Sequence, residues 1–246
     1  MQTAFLFQTW PYAAVVLFVA GMAARYLGMP GPTSAQRDLP LDARDLFRRT
    51  ALLQISLLLL LLGHLAGLVS PQRVLLWNSS PLRLYALEIL GFGAGLSALG
   101  GWTLLTWRHV KQSDASIESQ AADAFFLSLL FTTLFSGSLT AVLFRWGSSW
   151  GVITLTPYVV SLLRGRPAVD LVAGLPFLVR LHVFSAFATF AALPATRLGP
   201  VLIVGLRRGL RLTLSPVQVL TDSASKIAEV VARRLDPAIW IWPEED

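Results

Sequence analysis

Cysteine is absent from this chain, and charged residues are scarce. None of the 246 residues is Cys, and Asp, Glu, Lys and Arg together make up 14% of the sequence. Without thiols, the chain itself can form no disulfide, iron–sulfur cluster or thiolate metal site. Any redox cofactor that it binds must therefore use other ligands.

Hydrophobic residues dominate instead. They make up 54% of the chain, and the mean hydropathy is +0.62, which is typical of a polytopic membrane protein rather than a soluble domain. The net charge of +6 could suggest nucleic acid, but the arginines adjoin apolar segments, where they anchor helix ends and lipid headgroups. The sequence therefore predicts an integral membrane protein in contact with lipid and gives no sign of nucleic-acid binding.

Five segments are apolar enough to cross the bilayer as helices, which takes about 20 residues for roughly 30 Å of hydrocarbon. They are residues 5–24, 51–70, 84–107, 124–144 and 177–196. The predicted fold class is all-α, with residues 1–200 forming a bundle of five transmembrane helices. Residues 201–246 are predicted to form a cytoplasmic tail whose amphipathic helix, residues 216–235, docks on a partner subunit or, less favoured, lies on the membrane.

Lys and Arg are distributed unevenly between the two sides of the spans. The segments after the first and third spans and the C-terminal tail carry 14 of them, whereas the segments on the other side carry five. Because cytoplasmic loops are rich in Lys and Arg, the N-terminus is predicted to lie outside and the C-terminus in the cytoplasm. The apolar part of the long outer connection, residues 150–163, predicts an interfacial helix.

Two of the three histidines lie inside predicted spans. His64 is six residues from the outer end of the second span, and His182 is five residues into the fifth span from the same face. At 1.5 Å per residue, both imidazoles lie about 8 to 9 Å below the outer boundary of the hydrocarbon. His109 adjoins two cationic residues at a cytoplasmic helix end and is predicted to be solvated.

Two imidazoles at one depth can ligate a haem iron from opposite sides of the ring. Gly63 and Gly67 flank His64, and small residues follow His182 at helical spacing, which leaves room for a porphyrin edge. Arg180, two residues outward of His182, is placed to meet a haem propionate or to anchor the helix at the interface. The sequence therefore predicts a haem with His64 and His182 as axial iron ligands.

Other interpretations of the same residues stay open. The small residues could serve ordinary helix packing, and the histidines could be packing or proton-relay groups of a non-redox anchor or transporter. A metal without a porphyrin is less suited, because only Glu88 could join the pair as a ligand. Since the sequence shows no constellation of residues for nucleophilic or carboxylate-pair catalysis, we expect an electron carrier rather than a catalytic chain.

Four short motifs lie within the spans or at their ends. They are Arg25-Tyr26, Gly63-His64 with Gly67 and Pro71, Asp123 with Leu127-Ser128-Leu129-Leu130, and Arg180-Leu181-His182. Together with the five spans, these motifs resemble the gamma subunit of respiratory nitrate reductase, a membrane cytochrome b that oxidises quinol. The resemblance extends over most of the chain, and the two histidine motifs are its most specific part.

In that family, four histidines of the second and fifth spans hold two haems stacked across the membrane. His64 and His182 match the outer pair, whereas Gln54 and Pro200 occupy the positions of the inner pair. The resemblance therefore implies a single haem b in this chain. How electrons cross the inner half is left open: transfer on the outer side, a carrier from another subunit, or a different ligand at the inner site.

The resemblance also implies a location and partners. The chain would lie in a prokaryotic inner membrane and exchange electrons between the quinone pool and an iron–sulfur subunit, beside a molybdenum-containing catalytic subunit. A b-type subunit of another terminal reductase is the alternative within the same class.

Oxidation of quinol needs a proton acceptor beside the outer haem. Glu88 lies near the outer end of the third span at nearly the depth of His64, and Arg83 lies at the mouth of that span. Both are candidate quinol-site residues, Arg83 as the basic residue nearest to a functional lysine of the family. Alternatively, Glu88 pairs with Arg83 or Arg180, and Arg83 is an interfacial anchor.

Overall fold

The computed structural model describes residues 5–27, 43–111 and 117–196, together with residues 198, 199, 202 and 211. The chain divides into two compact units, Met1–Leu206 and Arg207–Asp246. All described residues except Arg211 belong to the first unit. The predicted tail helix over residues 216–235 lies outside the described residues.

All regular structure in the described residues is helical. A π-helical turn, Phe5–Thr9, leads into α1, Trp10–Tyr26. The other helices are α2 (Ala43–Val69), α3 (Pro71–Trp77), α4 (Pro81–Lys111), α5 (Ile117–Leu143), α6 (Gly147–Leu163), α7 (Asp170–Ala173) and α8 (Phe177–Ala192), followed by a 3₁₀ turn, Leu193–Ala195. Proline stands in the first two positions of α1, α3 and the 3₁₀ turn, where no helical bond needs its missing N–H.

Five of these segments are long and apolar enough to span a membrane. They are Phe5–Arg25, Thr50–Val69, Pro81–Lys111, Gln120–Leu143 and Phe177–Ala195. They coincide with the five predicted spans, so the predicted class, an all-α polytopic membrane bundle, is confirmed.

From the second span to the fifth, the spanning helices pack in chain order, and the first span packs against the last. α2 packs against α4, α4 against α5, α5 against α8, and α8 against α1. Glycine permits a close approach of α4 to α2, because a Cβ added at Gly101 would lie 2.6 Å from the backbone nitrogen of Leu53. In the described residues, α2 and α8 are not packed along their length, although both carry an intramembrane histidine.

The interior of the bundle around and beyond Gln54 is filled by apolar side chains. We call this set the packed core: Leu53, Ala98, Leu105, Phe126, Leu127, Leu130, Leu134, Leu198 and Leu202. Phe126 and Leu53 are fully buried. Trp102 packs against the same set and donates its indole N–H to the carbonyl of Leu127 at 2.9 Å, so its one polar atom is satisfied.

A second cluster lies at the opposite end of the bundle and consists of Phe7, Tyr158, Leu162 and Val172. The hydroxyl of Tyr158 donates to the carbonyl of Phe7 at 2.7 Å, and the hydroxyl of Tyr12 donates to the carbonyl of Leu162 at 2.8 Å. These bonds join α6 to the start of the first span. The predicted helix over residues 150–163 is confirmed as α6, which begins three residues earlier, at Gly147.

Arg25 joins the end of α1 to the end of α8. Its Nη2 donates hydrogen bonds to the carbonyls of Pro194 and Thr196, each at 2.7 Å. Gly21 lies against the same turn, since an added Cβ would approach Pro194 Cβ to 2.8 Å. The first span is therefore fastened to the last one.

Candidate functional site

The structure brings His64 of α2 and His182 of α8 together. Their ring centroids are 6.2 Å apart, and the ring planes are inclined by 34°. Because α2 and α8 enter this level from opposite directions, residues so far apart in sequence reach the same depth. The two imidazoles thus lie close together, although their helices are otherwise not packed against each other.

A hydrogen bond orients each imidazole. The Nδ1 of His64 lies 2.7 Å from the carbonyl oxygen of Leu60 on its own helix, and the Nδ1 of His182 lies 2.9 Å from the carbonyl oxygen of Thr133 on α5. A carbonyl only accepts, so Nδ1 carries the proton in both rings and Nε2 keeps its lone pair. This is the tautomer in which Nε2 can bind a metal, with the second nitrogen fixed by a backbone carbonyl.

The spacing of the rings fits two axial ligands of one metal. A metal ion lies about 2.0 to 2.1 Å from an imidazole nitrogen, and a ring centroid lies about 1.1 Å behind that nitrogen, which together separate two opposed centroids by about 6 Å. No group of three His, Cys, Asp or Glu side chains able to hold a metal occurs among the described residues. A porphyrin would supply the remaining four ligands, so the donor set suits a haem better than a bare ion.

α5 contributes a wall of the site that the sequence did not predict. A Cβ added at Gly137 would lie 2.7 Å from Cε1 and 2.9 Å from Nδ1 of His182. Gly137 and Thr133 are one helical turn apart on α5, so both face the ring. The only sequence signal was a glycine between two serines in an apolar span, which is also common in ordinary membrane helix packing.

The two flanking glycines of His64 have different surroundings. An added Cβ at Gly63 would have no neighbour within 4 Å, whereas at Gly67 it would lie 3.2 Å from Val152 Cγ2 of α6. The backbone of Gly67 also accepts a hydrogen bond from the Thr156 hydroxyl at 3.2 Å. Gly63 thus borders open space, and Gly67 admits α6.

Arg180 lies two residues before His182 on α8 and is half-buried. Its Nε is a buried donor that has no hydrogen-bond partner in the described part of the chain. A buried donor without a partner is unfavourable by about 1 to 3 kcal/mol. An anionic group such as a haem propionate would satisfy it.

Glu88 is bound to the start of α6. Its Oε1 accepts hydrogen bonds from the backbone N–H of Ser148 at 2.8 Å and from the Ser148 hydroxyl at 2.6 Å. A carboxylate at a helix N-terminus is stabilised by the free N–H groups there. Among the described residues no cation forms an ion pair with Glu88, so the alternative of pairing with Arg83 or Arg180 was wrong.

Arg83 lies apart from Glu88, on the exposed first turn of α4. Its guanidinium carbon is 5.5 Å from the centroid of the Trp77 ring, and its Nη2 is 3.4 Å from the Ser79 hydroxyl. The two candidate quinol-site residues are five positions apart on one helix and point to different sides. The structure places them at the same end of the bundle but does not bring their side chains together.

The prediction for His109 was wrong. Its Nε2 lies 3.4 Å from Oδ2 of Asp123, and the side chains are 18% and 0% exposed. A buried carboxylate such as that of Asp123 on α5 is unfavourable without a partner. His109 on α4 is such a partner. His109 is thus a contact between helices rather than a solvated residue.

Gln54 lies ten residues before His64 on α2 and is 2% exposed. Its Nε2 donates to the hydroxyl of Thr50 at 2.7 Å. The surrounding interior is the packed core. Pro200, which with Gln54 occupies the positions of the family's inner histidine pair, lies outside the described residues.

These features define a class: multi-pass helical membrane proteins that present paired imidazoles inside the bundle. Residues 3–208 match the family described as "Nitrate reductase gamma subunit". The match covers far more than half of the chain, and the chain belongs to this family.

Named relatives agree with this membership. The chain is similar to the nitrate reductase gamma chain of Bacillus subtilis (strain 168), with 26% identity over 202 residues, or 80% of this chain and 90% of the relative. It is 25% identical over 199 residues to the respiratory nitrate reductase 2 gamma chain of Escherichia coli (strain K12), covering 79% of this chain and 87% of the relative. A 198-residue match at 25% identity to the nitrate reductase-like protein NarX of Mycobacterium tuberculosis covers only 30% of that protein.

Proposed function

We propose that this chain is the haem b subunit of a quinol-dependent respiratory oxidoreductase of the nitrate reductase type. One observation carries the proposal: two intramembrane imidazoles stand 6.2 Å apart, each with its Nδ1 bonded to a backbone carbonyl. Family membership supports the assignment, since gamma chains are membrane subunits of nitrate reductase.

His64 and His182 would hold the haem, and Arg180 would bind a propionate. The group supplies one-electron transfer when bound. The chain's own residues orient it: the carbonyls of Leu60 and Thr133 fix the ring tautomers, and Gly63, next to His64, borders open space. A single haem is proposed, because Gln54 replaces one inner histidine and the packed core fills the interior at its level.

Partners follow from the family. As a gamma subunit, the chain would associate with other nitrate reductase subunits, and we propose an iron–sulfur subunit as its electron-transfer partner and a molybdenum-containing subunit as the catalytic chain. The quinone pool of a prokaryotic inner membrane would be the other partner. The excess of Lys and Arg on the opposite side supports an outer position for the histidine pair.

Glu88 is proposed as the proton acceptor for quinol, with Arg83 at the entrance. A carboxylate already held by two donors from Ser148 sits at a fixed position, which general base catalysis requires.

The first experiment is a reduced-minus-oxidised optical spectrum of the purified chain, with haem counted per polypeptide. We expect one b-type haem, and its loss in His64→Ala and in His182→Ala. His109→Ala is the matched control, since His109 pairs with Asp123 away from the site, and it should keep the haem. Full retention of haem in His182→Ala would overturn the assignment.

A second experiment tests Glu88 alone. Glu88→Gln keeps an oxygen that accepts from Ser148 but cannot take a proton, so quinol oxidation by the assembled complex should fall by about 100-fold or more. Ser148→Ala removes one donor to the carboxylate without removing the base, and it should keep most of the rate. Equal rates in Glu88→Gln and wild type would leave Glu88 with a purely structural role.

A further inference from the structure

We propose that α5 carries a slot, formed by Gly137 and the carbonyl of Thr133, that sets the position and tautomer of the His182 imidazole. This inference rests on the proposed haem function and deepens it. Gly137 is then a positioning residue: it supplies no ligand, but it decides where the ligand ring stands.

The steric part of the slot is the missing side chain of Gly137. A Cβ there would lie 2.7 Å from Cε1, 2.9 Å from Nδ1 and 3.6 Å from Nε2 of His182. Two of these distances are shorter than carbon and nitrogen atoms tolerate without bonding. An imidazole is rigid, so a methyl group at Gly137 would displace the whole ring.

The electrostatic part of the slot is the carbonyl of Thr133, which accepts a hydrogen bond from Nδ1 of His182 at 2.9 Å. This oxygen stands one helical turn before Gly137, on the same face of α5. The hydroxyls of Thr133 and Thr189 are 2.9 Å apart and hold α8 in register with α5. Two contacts with α5 therefore hold the ring of His182: Gly137 limits its position on one side, and the Thr133 carbonyl binds its Nδ1.

His64 lacks this dependence. Its Nδ1 bonds to Leu60, four residues earlier on its own helix, and its ring is exposed in the chain. A change on α5 should therefore move the ring of His182 and leave the ring of His64 in place. That asymmetry distinguishes a positioning slot from general loosening of the bundle.

The test compares Gly137→Ala with Gly91→Ala, because an added Cβ at Gly91 meets nothing within 4 Å. Haem per chain, the low-spin bis-histidine signal in electron paramagnetic resonance and the midpoint potential are measured for each purified protein. In Gly137→Ala we expect a haem affinity lower by about 10- to 100-fold, with the remaining haem shifted from low-spin to high-spin. Gly91→Ala should match wild type, and a wild-type signal and potential in Gly137→Ala would overturn the proposal.

A double-mutant cycle keeps the proposal testable if Gly137→Ala folds poorly. Thermal unfolding of the haem-free proteins is compared for Gly137→Ala, His182→Ala and the combination. The loss caused by Gly137→Ala should disappear in the His182→Ala background, because the ring that it meets has gone. An equal loss in both backgrounds would mean general helix packing and would overturn the slot. A wild-type chain that binds no haem would overturn the proposed function. The double-mutant cycle would still measure the contact between Gly137 and His182.

Discussion

Two levels of α2, ten residues apart, lie in different surroundings. Around His64 the helix faces α8 without packing along it, Gly63 has no neighbour for an added Cβ, and the imidazole is exposed in the chain. Around Gln54, about 15 Å away along the axis, the side chain is 2% exposed and the interior is closed by large apolar residues. One helix thus borders an open level and a filled one.

The difference between the two levels agrees with the proposal that this chain holds a single haem. A porphyrin site needs ligands and also space, and both are absent around Gln54 in the described residues. Filling that volume with Leu and Phe side chains replaces the contacts that a ring would make. The packed core thus supports the proposed function with one haem rather than two.

The largest loss of stability is expected when a side chain of the packed core is removed. Phe126→Ala should lower the free energy of unfolding by about 3 to 5 kcal/mol, because it leaves a cavity in a fully buried place. Unfolding in detergent measures the loss. Phe125→Ala is the control, since Phe125 is 62% exposed, and the haem count per folded chain should stay unchanged in both. Similar losses in the two variants would contradict a filled interior.

A smaller effect is expected from adding a methyl group at each level. Gly101→Ala should lower the unfolding free energy by about 1 to 3 kcal/mol, because the new Cβ meets the Leu53 backbone. Gly63→Ala should change it by less than about 0.5 kcal/mol. Thermal unfolding of the two purified variants gives the answer, and the reverse order of stability would refute the assignment of open and filled levels.

A histidine in place of Gln54 tests the filled level directly. Gln54→His should add no second haem, and it should lower the unfolding free energy by about 1 to 2 kcal/mol through loss of the bond to Thr50. Haem extraction and counting per polypeptide measures the first expectation. A count of two would show that the packed core yields readily to a porphyrin.

The smallest effect is expected for Arg180→Gln at the open level. Haem affinity should fall by about 3- to 10-fold, equivalent to about 1 kcal/mol, through loss of a charge-assisted bond. The haem-free protein should not lose stability, because the buried Nε has no partner among the described residues. Arg166→Gln, at an exposed turn, is the control for charge alone. A destabilised haem-free Arg180→Gln would assign this residue to packing.

Properties that depend on one helix at a time could be predicted from the sequence. The spans follow from apolar length, and the common depth of His64 and His182 follows from counting residues along two antiparallel helices. Helix ends were less accurate: α2 begins at Ala43 and α4 ends at Lys111, because helices continue into polar segments that a hydropathy argument stops short of.

Contacts between helices could not be predicted in the same way. His109 was predicted to be solvated because its partner Asp123 is on the next helix. The alternative that paired Glu88 with an arginine missed its contact with Ser148 for the same reason. The place of Gly137 beside His182 depends on the rotation of α5 about its axis. Rotation and neighbours are set by the packing of the whole bundle, and a single apolar segment holds little information about either.

The bond between Arg25 and the end of α8 has a consequence for synthesis. α1 is made first, and its packing partner is α8, which is made last of the five spans. During insertion into the membrane, α1 therefore lacks its native neighbour α8 until more than 150 further residues have been translated. Closing the bundle is then the final step of assembly, and a chain truncated before Pro194 would leave the guanidinium of Arg25 without the carbonyls that it binds.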